Sequence, residues 1–165
     1  MKRLLHGLAL VLLAGVLTAC GPQRQSVFPP TITIQQMKVE PNGAWQLSLR
    51  IQNNSYTGMD YQSIEGRLQI AQGMPVRVHA KFEMDIPTFA GDVVQVQVLP
   101  TPEMSQALQA IAGKGSAGSL PYTLNGIVHA VPNLEDHPDN KNPRDFPFTS
   151  NSFLSPVPGV PNTYR

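Results

Sequence analysis

The sequence predicts an all-β domain, a seven-stranded antiparallel β-sandwich with one short helix between the fifth and sixth strands. Apolar residues recur at every second position in about seven short segments, and Gly, Pro, Asn or Asp bounds these segments. The period changes to helical spacing only once. All sixteen prolines of the 165-residue chain lie beyond residue 21, which argues against long helices.

The alternation is clearest in the first five segments, where apolar side chains share one face and polar side chains the other, as in half-buried antiparallel strands. An irregularity is expected before Val39, and Gly66 leaves a gap in the apolar row of the third segment. The rows predicted to be buried are Ile32 and Ile34; Trp45, Leu47, Leu49 and Ile51; Ile64, Leu68 and Ile70; Val76, Val78, Ala80, Phe82, Met84 and Ile86; and Val94, Val96 and Val98.

The single helix is predicted in residues 101–113. Thr101 can cap its first turn, Pro102 suits the first helical position, and Glu103 suits the positive end of the helix dipole. Gly113 can supply a left-handed residue at the carboxyl end. The apolar face of this helix comprises Met104, Ala107, Leu108, Ile111 and Ala112.

After the helix, residues 113–119 form a flexible link, residues 121–131 a sixth strand, and residues 145–154 a last strand at an edge, because Pro147 interrupts it. The sandwich domain is therefore predicted to span residues 31–154. Residues 155–165 are predicted to form a polyproline-like tail.

The amino-terminal segment has the layout of a bacterial signal peptide over residues 1–19. Lys2 and Arg3 precede an apolar stretch that is too short to cross a bilayer, which needs about 20 residues. Residues 17–20, "LTAC", resemble the lipobox of bacterial lipoproteins. The resemblance implies cleavage before Cys20, a diacylglyceryl group on its thiol and acylation of its amine. The alternatives are an inert, buried cysteine and an ordinary cleaved signal.

Cys20 is therefore the predicted lipidation site and the predicted contact with the membrane, and residues 20–30 form a tether. The residue after Cys20 is Gly21 and not Asp. By resemblance to enterobacterial sorting rules, this favours the outer membrane and hence its periplasmic face. No second cysteine is present, so we expect no internal disulfide.

The charge pattern argues against a nucleic-acid partner. Beyond residue 19 the chain has 10 basic and 11 acidic residues, and none of them form a block of one sign. Charged residues are only 14% of the chain, while Gln, Asn, Ser and Thr are plentiful. Two polar rows are candidate contact surfaces for proteins or carbohydrate, or else a plain solvent face: Gln46, Ser48, Arg50 and Gln52, and Gln95 with Gln97.

Residues 31–131 resemble the WHy-type domain, the desiccation-related group 2 branch of the late embryogenesis abundant proteins, which also occurs in bacterial lipoproteins. Residues 52–55, "QNNS", stand where the family has Asn-Pro-Asn. Gln72-Gly73 matches the family's Gly turn, and Pro87 with Gly91 matches its last turn. Asn54 replaces the middle proline, and Asn tolerates turn conformations, so the turn is expected to survive.

The resemblance implies a fibronectin-like sandwich and a non-enzymatic role in protecting proteins or membranes against drying and other stress. It brings no catalytic residues. Two other functions remain open. The chain could be a structural subunit that binds an envelope complex through the sandwich edge or the tail, or a carrier with a cavity between its sheets. Possible partners are envelope proteins, and we expect no small-molecule substrate.

The motifs for catalysis or cofactors are weak. Residues 112–118, "AGKGSAG", lack the first Gly and the final Ser or Thr of a phosphate-binding loop. No nucleophile elbow occurs, so we expect no enzyme and no cofactor. His79 and His129 are expected on outward strand faces rather than in a zinc site. A loop of turn-forming residues could bind a cation but lacks the spacing of a calcium loop, and its candidate ligands are Glu135, Asp136, His137, Asp139 and Asp145.

Overall fold

The computed structural model describes residues 26–134 and 142–165. These residues form eight strands and one α-helix, with a short 3₁₀ turn at Gly115–Ala117. In chain order the elements are β1 (Thr31–Val39), β2 (Trp45–Gln52), β3 (Met59–Ile70), β4 (Val76–Ile86), β5 (Gly91–Val98), α1 (Pro102–Ala112), β6 (Leu120–Pro132), β7 (Arg144–Leu154) and β8 (Thr163–Tyr164).

The strands form two antiparallel sheets of four strands each, packed face to face. One sheet has the order β5-β2-β1-β8 and the other has the order β4-β3-β6-β7. The predicted all-β sandwich and the helix between the fifth and sixth strands are confirmed. The count of seven strands is wrong, because the described residues contain eight.

The eighth strand lies in the segment predicted to be a polyproline-like tail. Thr163 and Tyr164 pair with Lys38 and Met37 of β1. Ser155 and Arg165 exchange two backbone hydrogen bonds, of 2.8 and 3.0 Å. The prolines between them make a turn that brings the chain back to the sheet. Two residues are too few to show a period, so the sequence pattern did not reveal this strand.

The core fills the space between the sheets with the predicted apolar rows. Trp45, Leu47, Leu49 and Ile51 are at most 1% exposed, as are Ile64, Leu68 and Ile70. Only the row on β4 departs from full burial: Val78 and Ile86 are buried while the four others are half-buried. β4 forms one edge of its sheet. Its outward residues from Arg77 to Asp85 include five ionisable side chains, which discourages pairing with another chain.

Two irregularities interrupt the strand pairing. The register of β1 and β2 shifts between Ile34 and Gln36, which confirms the irregularity expected before Val39. A second shift, which the pattern did not predict, lies between Tyr61 and Ser63 of β3. This shift disrupts the alternation of apolar and polar residues in the first part of β3. The sequence pattern therefore marks clearly only the later part of the strand.

The gap at Gly66 has a structural cause, because Gly66 lies directly opposite Gly126 across the β3–β6 pair. A Cβ atom at Gly126 would lie 2.1 Å from the carbonyl oxygen of Glu65, and one at Gly66 would lie 2.5 Å from that of Asn125. The two glycines let these strands approach closely at this point.

The helix begins as predicted and ends differently. The backbone N–H of Met104 donates to Thr101 Oγ1 (3.3 Å), and Pro102 occupies the first turn. Met104, Leu108 and Ile111 are buried against the sandwich. Gly113 was predicted to be left-handed, and this is wrong: its φ is −77°, whereas Gly115 has φ +55°. The chain therefore continues through one more turn before it reverses.

Candidate functional site

Asn53 joins two segments at the end of the sandwich nearest residue 26. Its side chain is fully buried, and Nδ2 donates to the carbonyl oxygens of Thr57 (2.9 Å), Ile86 (3.1 Å) and Pro87 (3.1 Å). Its Oδ1 accepts from the backbone N–H of Ser55 at 2.9 Å. The loop after β2 and the end of β4 are thereby joined through one amide. The chain leaves β2 here without a proline, and the bond from the Ser55 N–H to Asn53 Oδ1 is a local side-chain bond of the kind that Asn makes in turns.

The two residues after Asn53 hold the segment that leads into β1. Asn54 Nδ2 donates to the carbonyl oxygen of Pro29 (2.9 Å) and to Thr31 Oγ1 (3.0 Å). Ser55 Oγ accepts from the N–H of Phe28 at 2.9 Å and donates to its carbonyl oxygen at 3.1 Å. Residues 26–30 are therefore fixed to the domain by side chains of the loop between β2 and β3.

The two predicted polar rows lie side by side on the outer surface of the sheet formed by β1, β2 and β5. Gln46 lies between Lys38 and Gln97, and Ser48 lies between Gln36 and Gln95. Five glutamines occupy this surface, which we call the glutamine face. Its residues are Thr31, Thr33, Gln36, Lys38, Gln46, Ser48, Arg50, Gln52, Gln95 and Gln97.

Side chains of the glutamine face bond to one another across strands. Gln95 Oε1 accepts from Gln46 Nε2 (3.3 Å) and from Ser48 Oγ (3.1 Å). Of the ten residues of this face only Lys38 and Arg50 are charged, and Glu40 lies 3.2 Å from the Lys38 ammonium group. The face therefore offers amide and hydroxyl groups with little net charge.

The outer face of the second sheet is different in character, because it carries ionisable side chains of both signs. His79 Nδ1 lies 3.4 Å from Glu65 Oε1, and His129 Nδ1 lies 2.6 Å from Asp145 Oδ1. Both histidines are on outward strand faces, which confirms that expectation. Each contacts one carboxylate, and no group of three or more metal-binding side chains occurs within residues 26–134 and 142–165.

Among the described residues, the titratable groups with shifted pKa values are Tyr61, Tyr164 and Glu103. Burial raises the pKa of Tyr61, whose hydroxyl has no hydrogen-bond partner in the part of the chain that the structure describes. Burial also raises the pKa of Tyr164. The side-chain hydrogen bond with Thr101 lowers the pKa of Glu103, aided by its backbone hydrogen bond. These shifts come from packing and helix capping.

The remaining sequence candidates divide into two groups. The segment at 112–118 connects α1 to β6, as predicted for a link between a helix and a strand. Cys20, the predicted signal peptide and four of the possible cation ligands (Glu135, Asp136, His137 and Asp139) lie outside the described residues, and Asp145 is occupied by His129. Within the described ranges no helix is long and apolar enough to span a bilayer.

Two depressions lie against the second sheet of the sandwich. A groove of about 920 Å³ runs along β4, lined by residues 60–62 and 81–85. Another groove, of about 770 Å³, crosses the outer face of the second sheet near Gly66 and Gly126. Buried apolar side chains from both sheets form the core between them.

Sequence reasoning missed three exposed aromatic residues that lie together near Asn53. Phe28 lies in the segment before β1, Tyr56 in the loop between β2 and β3, and Phe89 in the connection between β4 and β5; we call these three residues the aromatic cluster. No local period links residues so far apart in the chain, so only the fold reveals them. The exposed fraction of each side chain is about half, namely 45%, 51% and 56%.

Neither the scan against protein-family models nor the search of curated proteins finds a match to this chain. Among solved structures, the chain is similar to the structural-genomics target SoR45, at 12% identity and a TM-score of 0.47, covering 82% of this chain and 92% of that one. A protein from Archaeoglobus fulgidus follows, at 4% identity and a TM-score of 0.44, with 79% and 97% covered. The solution structure of AT1g01470 from Arabidopsis thaliana matches at 11% identity and a TM-score of 0.40, with 86% and 87% covered. Similarity at this level says nothing about function.

Proposed function

We propose that this chain is a non-enzymatic lipoprotein of the WHy type, anchored through Cys20 to the periplasmic face of the outer membrane, which protects envelope proteins or the membrane during desiccation and other stress. The composition of the glutamine face carries the proposal. The lipobox-like residues 17–20 support the membrane location, and the WHy-like pattern of residues 31–131 supports the class of protein.

Weak and unselective contact is the mechanism that this face favours. Amides both donate and accept hydrogen bonds, so they can pair with the backbone groups of many partners. A surface with little net charge does not select partners by sign. Binding to native states alone stabilises them by mass action, which lowers the population of unfolded or clumped forms. The effect grows as drying concentrates both partners.

A drying experiment tests this proposal. A labile enzyme is dried and rehydrated with the lipidated mature protein in vesicles, and its recovered activity is measured. We expect recovery above that given by an equal mass of an inert protein in the same vesicles. Making the glutamine face acidic by Gln46→Glu, Gln95→Glu and Gln97→Glu together should remove most of this excess.

A matched variant controls for added charge. Gln62→Glu, Gln106→Glu and Gln109→Glu introduce the same three carboxylates at exposed positions away from the glutamine face. This control should protect as well as the unmodified protein. Protection no better than that of the inert protein would reject the proposed function, and equal loss in both variants would reject the glutamine face as its site.

A subunit of an envelope complex is the second candidate function, and one observation favours it. β7 forms the edge of its sheet over eleven residues, and Phe153 on this strand is 62% exposed. Crosslinking in cells from position 153 should then capture one partner equally with and without osmotic stress. The predicted tail is less available to bind a partner than the sequence suggests, because β8 within it pairs with β1.

A further inference from the structure

The aromatic cluster is a continuous exposed apolar patch held in a defined shape. The ring of Tyr56 meets that of Phe89 edge-to-face, with centroids 4.8 Å apart, and lies 6.2 Å from that of Phe28. Rings in such contact stabilise one another, yet about half of each side chain remains in water. Exposed apolar patches of this kind mark interaction sites on soluble domains.

Phe89 occupies a backbone conformation that favours glycine. Its φ is +57°, and it lies in the tight connection between β4 and β5. Gln52 Nε2 donates to its carbonyl oxygen at 2.8 Å and to that of Ala90 at 2.9 Å, which holds the turn in place. Phe89 is strained and more than half exposed, so it contributes little to the core, and the strain points to a function of the exposed ring.

The cluster lies where the chain enters the domain. The carbonyl oxygen of Ser26 accepts from the backbone N–H of Tyr56 at 2.9 Å. Cys20 is six residues before Ser26. Six residues reach at most about 20 Å when extended. If Cys20 carries lipid, the cluster is therefore confined within that distance of the bilayer surface, and the tether gives it a high effective concentration there.

The chemistry of the cluster matches a bilayer interface. Tyr56 has an apolar ring with a polar hydroxyl, a side chain that concentrates at the level of lipid headgroups, and Phe28 and Phe89 add apolar area beside it. Three carboxylates lie at the same end of the sandwich: Asp60 of β3 is paired with Asp85 of β4, and Asp92 lies next to the last pair of β2 and β5. They disfavour an anionic surface, so a zwitterionic headgroup region is the better match.

We propose that Phe28, Tyr56 and Phe89 insert into the headgroup region of the membrane that holds Cys20, so that this end of the sandwich rests on the bilayer. This inference depends on the lipid anchor of the proposed function and extends it. The domain then stands with its strands directed away from the membrane. The glutamine face lies along the side of the domain and remains accessible to partners.

Quenching by brominated lipid tests the orientation. The lipidated mature protein is placed in phosphatidylcholine vesicles that contain brominated phosphatidylcholine, and tryptophan emission is recorded for Phe89→Trp and, independently, for Tyr56→Trp. We expect emission at shorter wavelength and severalfold stronger quenching than for the control Phe153→Trp. Phe153 is exposed too, but its partner Pro121 lies at the opposite end of the sandwich from Met59, near Ile70. Trp45 contributes the same background to every variant.

Flotation of the vesicles distinguishes failure of the lipid anchor from failure of the proposed insertion of the aromatic cluster. If the proteins do not float with the vesicles, the anchor is absent and both the proposed function and this inference fail. If they float but position 89 or 56 is quenched no more than position 153, the anchor stands and the inference is overturned. A shift to shorter wavelength without lipid quenching would mean that a second copy or another protein covers the cluster, and would overturn it as well.

Discussion

Replacing Asn53 by Asp is expected to lower the free energy of unfolding by about 3–5 kcal/mol, the cost of breaking a buried polar network and leaving a charge unpaired. Asn53 donates to three carbonyl oxygens while fully buried. A carboxylate cannot donate, so the carbonyl oxygens of Thr57, Ile86 and Pro87 would each lose a partner. They would face a negative charge instead.

The pH dependence of this variant has a definite sign. Burial and the facing carbonyl oxygens favour the protonated carboxyl group, so its pKa in the folded state would be raised above about 3.9, the value for unfolded Asp. A raised folded-state pKa gives stability that is present at low pH and lost as the pH rises. The deficit relative to the unmodified protein should therefore grow between acidic and neutral pH.

Urea unfolding followed by the fluorescence of buried Trp45 measures the effect, and Asn54→Asp provides the matched control. Asn54 is adjacent, only half-buried, and donates to Pro29 and Thr31 at the surface. Its replacement should cost about 1 kcal/mol, the ordinary worth of a hydrogen bond. Equal losses in the two variants would show that Asn53 does not join the two connections.

Replacing Gly126 by Ala is expected to be comparably damaging, at about 3 kcal/mol or more, because overpacking against backbone cannot be relieved by a side-chain movement. The added Cβ atom would lie 2.1 Å from the carbonyl oxygen of Glu65 and 2.6 Å from the Cα of Gly66. Relief requires that β3 and β6 separate, which would break a central strand pair of the second sheet.

Gly113→Ala is the control for this change. Gly113 has a φ of −77° and no atom within 4 Å of the added Cβ, so the substitution should alter stability by less than about 1 kcal/mol, in the stabilising direction. Both variants are compared by thermal unfolding and by urea titration. A Gly126→Ala protein as stable as the Gly113→Ala protein would contradict the close approach of the two strands.

The alternation of residues such as Trp45, Leu47, Leu49 and Ile51 was sufficient to predict the main strands, because one buried face forces a period of two. The pattern failed where the physical signal is short or non-local. β8 has only two residues, and the register shift after Tyr61 disrupts the alternation of β3.

The candidate site was predictable to the same extent. The glutamine face follows from strands whose polar rows were visible in the sequence, and the register of β2 with β5 joins them. The roles of Asn53 and of the aromatic cluster depend on contacts between connections far apart in the chain. Such contacts leave no local period, so they could be recognised only after the strands were placed.

The mass of the amino-terminal peptide tests the central claim most directly. The protein is extracted from isolated outer membranes and digested with trypsin, and its first peptide is identified by mass spectrometry. The account predicts a peptide that begins at Cys20 and ends at Arg24, with a diacylglyceryl thioether and an acylated amine. A free thiol at Cys20 in a chain that retains residues 1–19, or recovery of the protein only from soluble fractions, would contradict it.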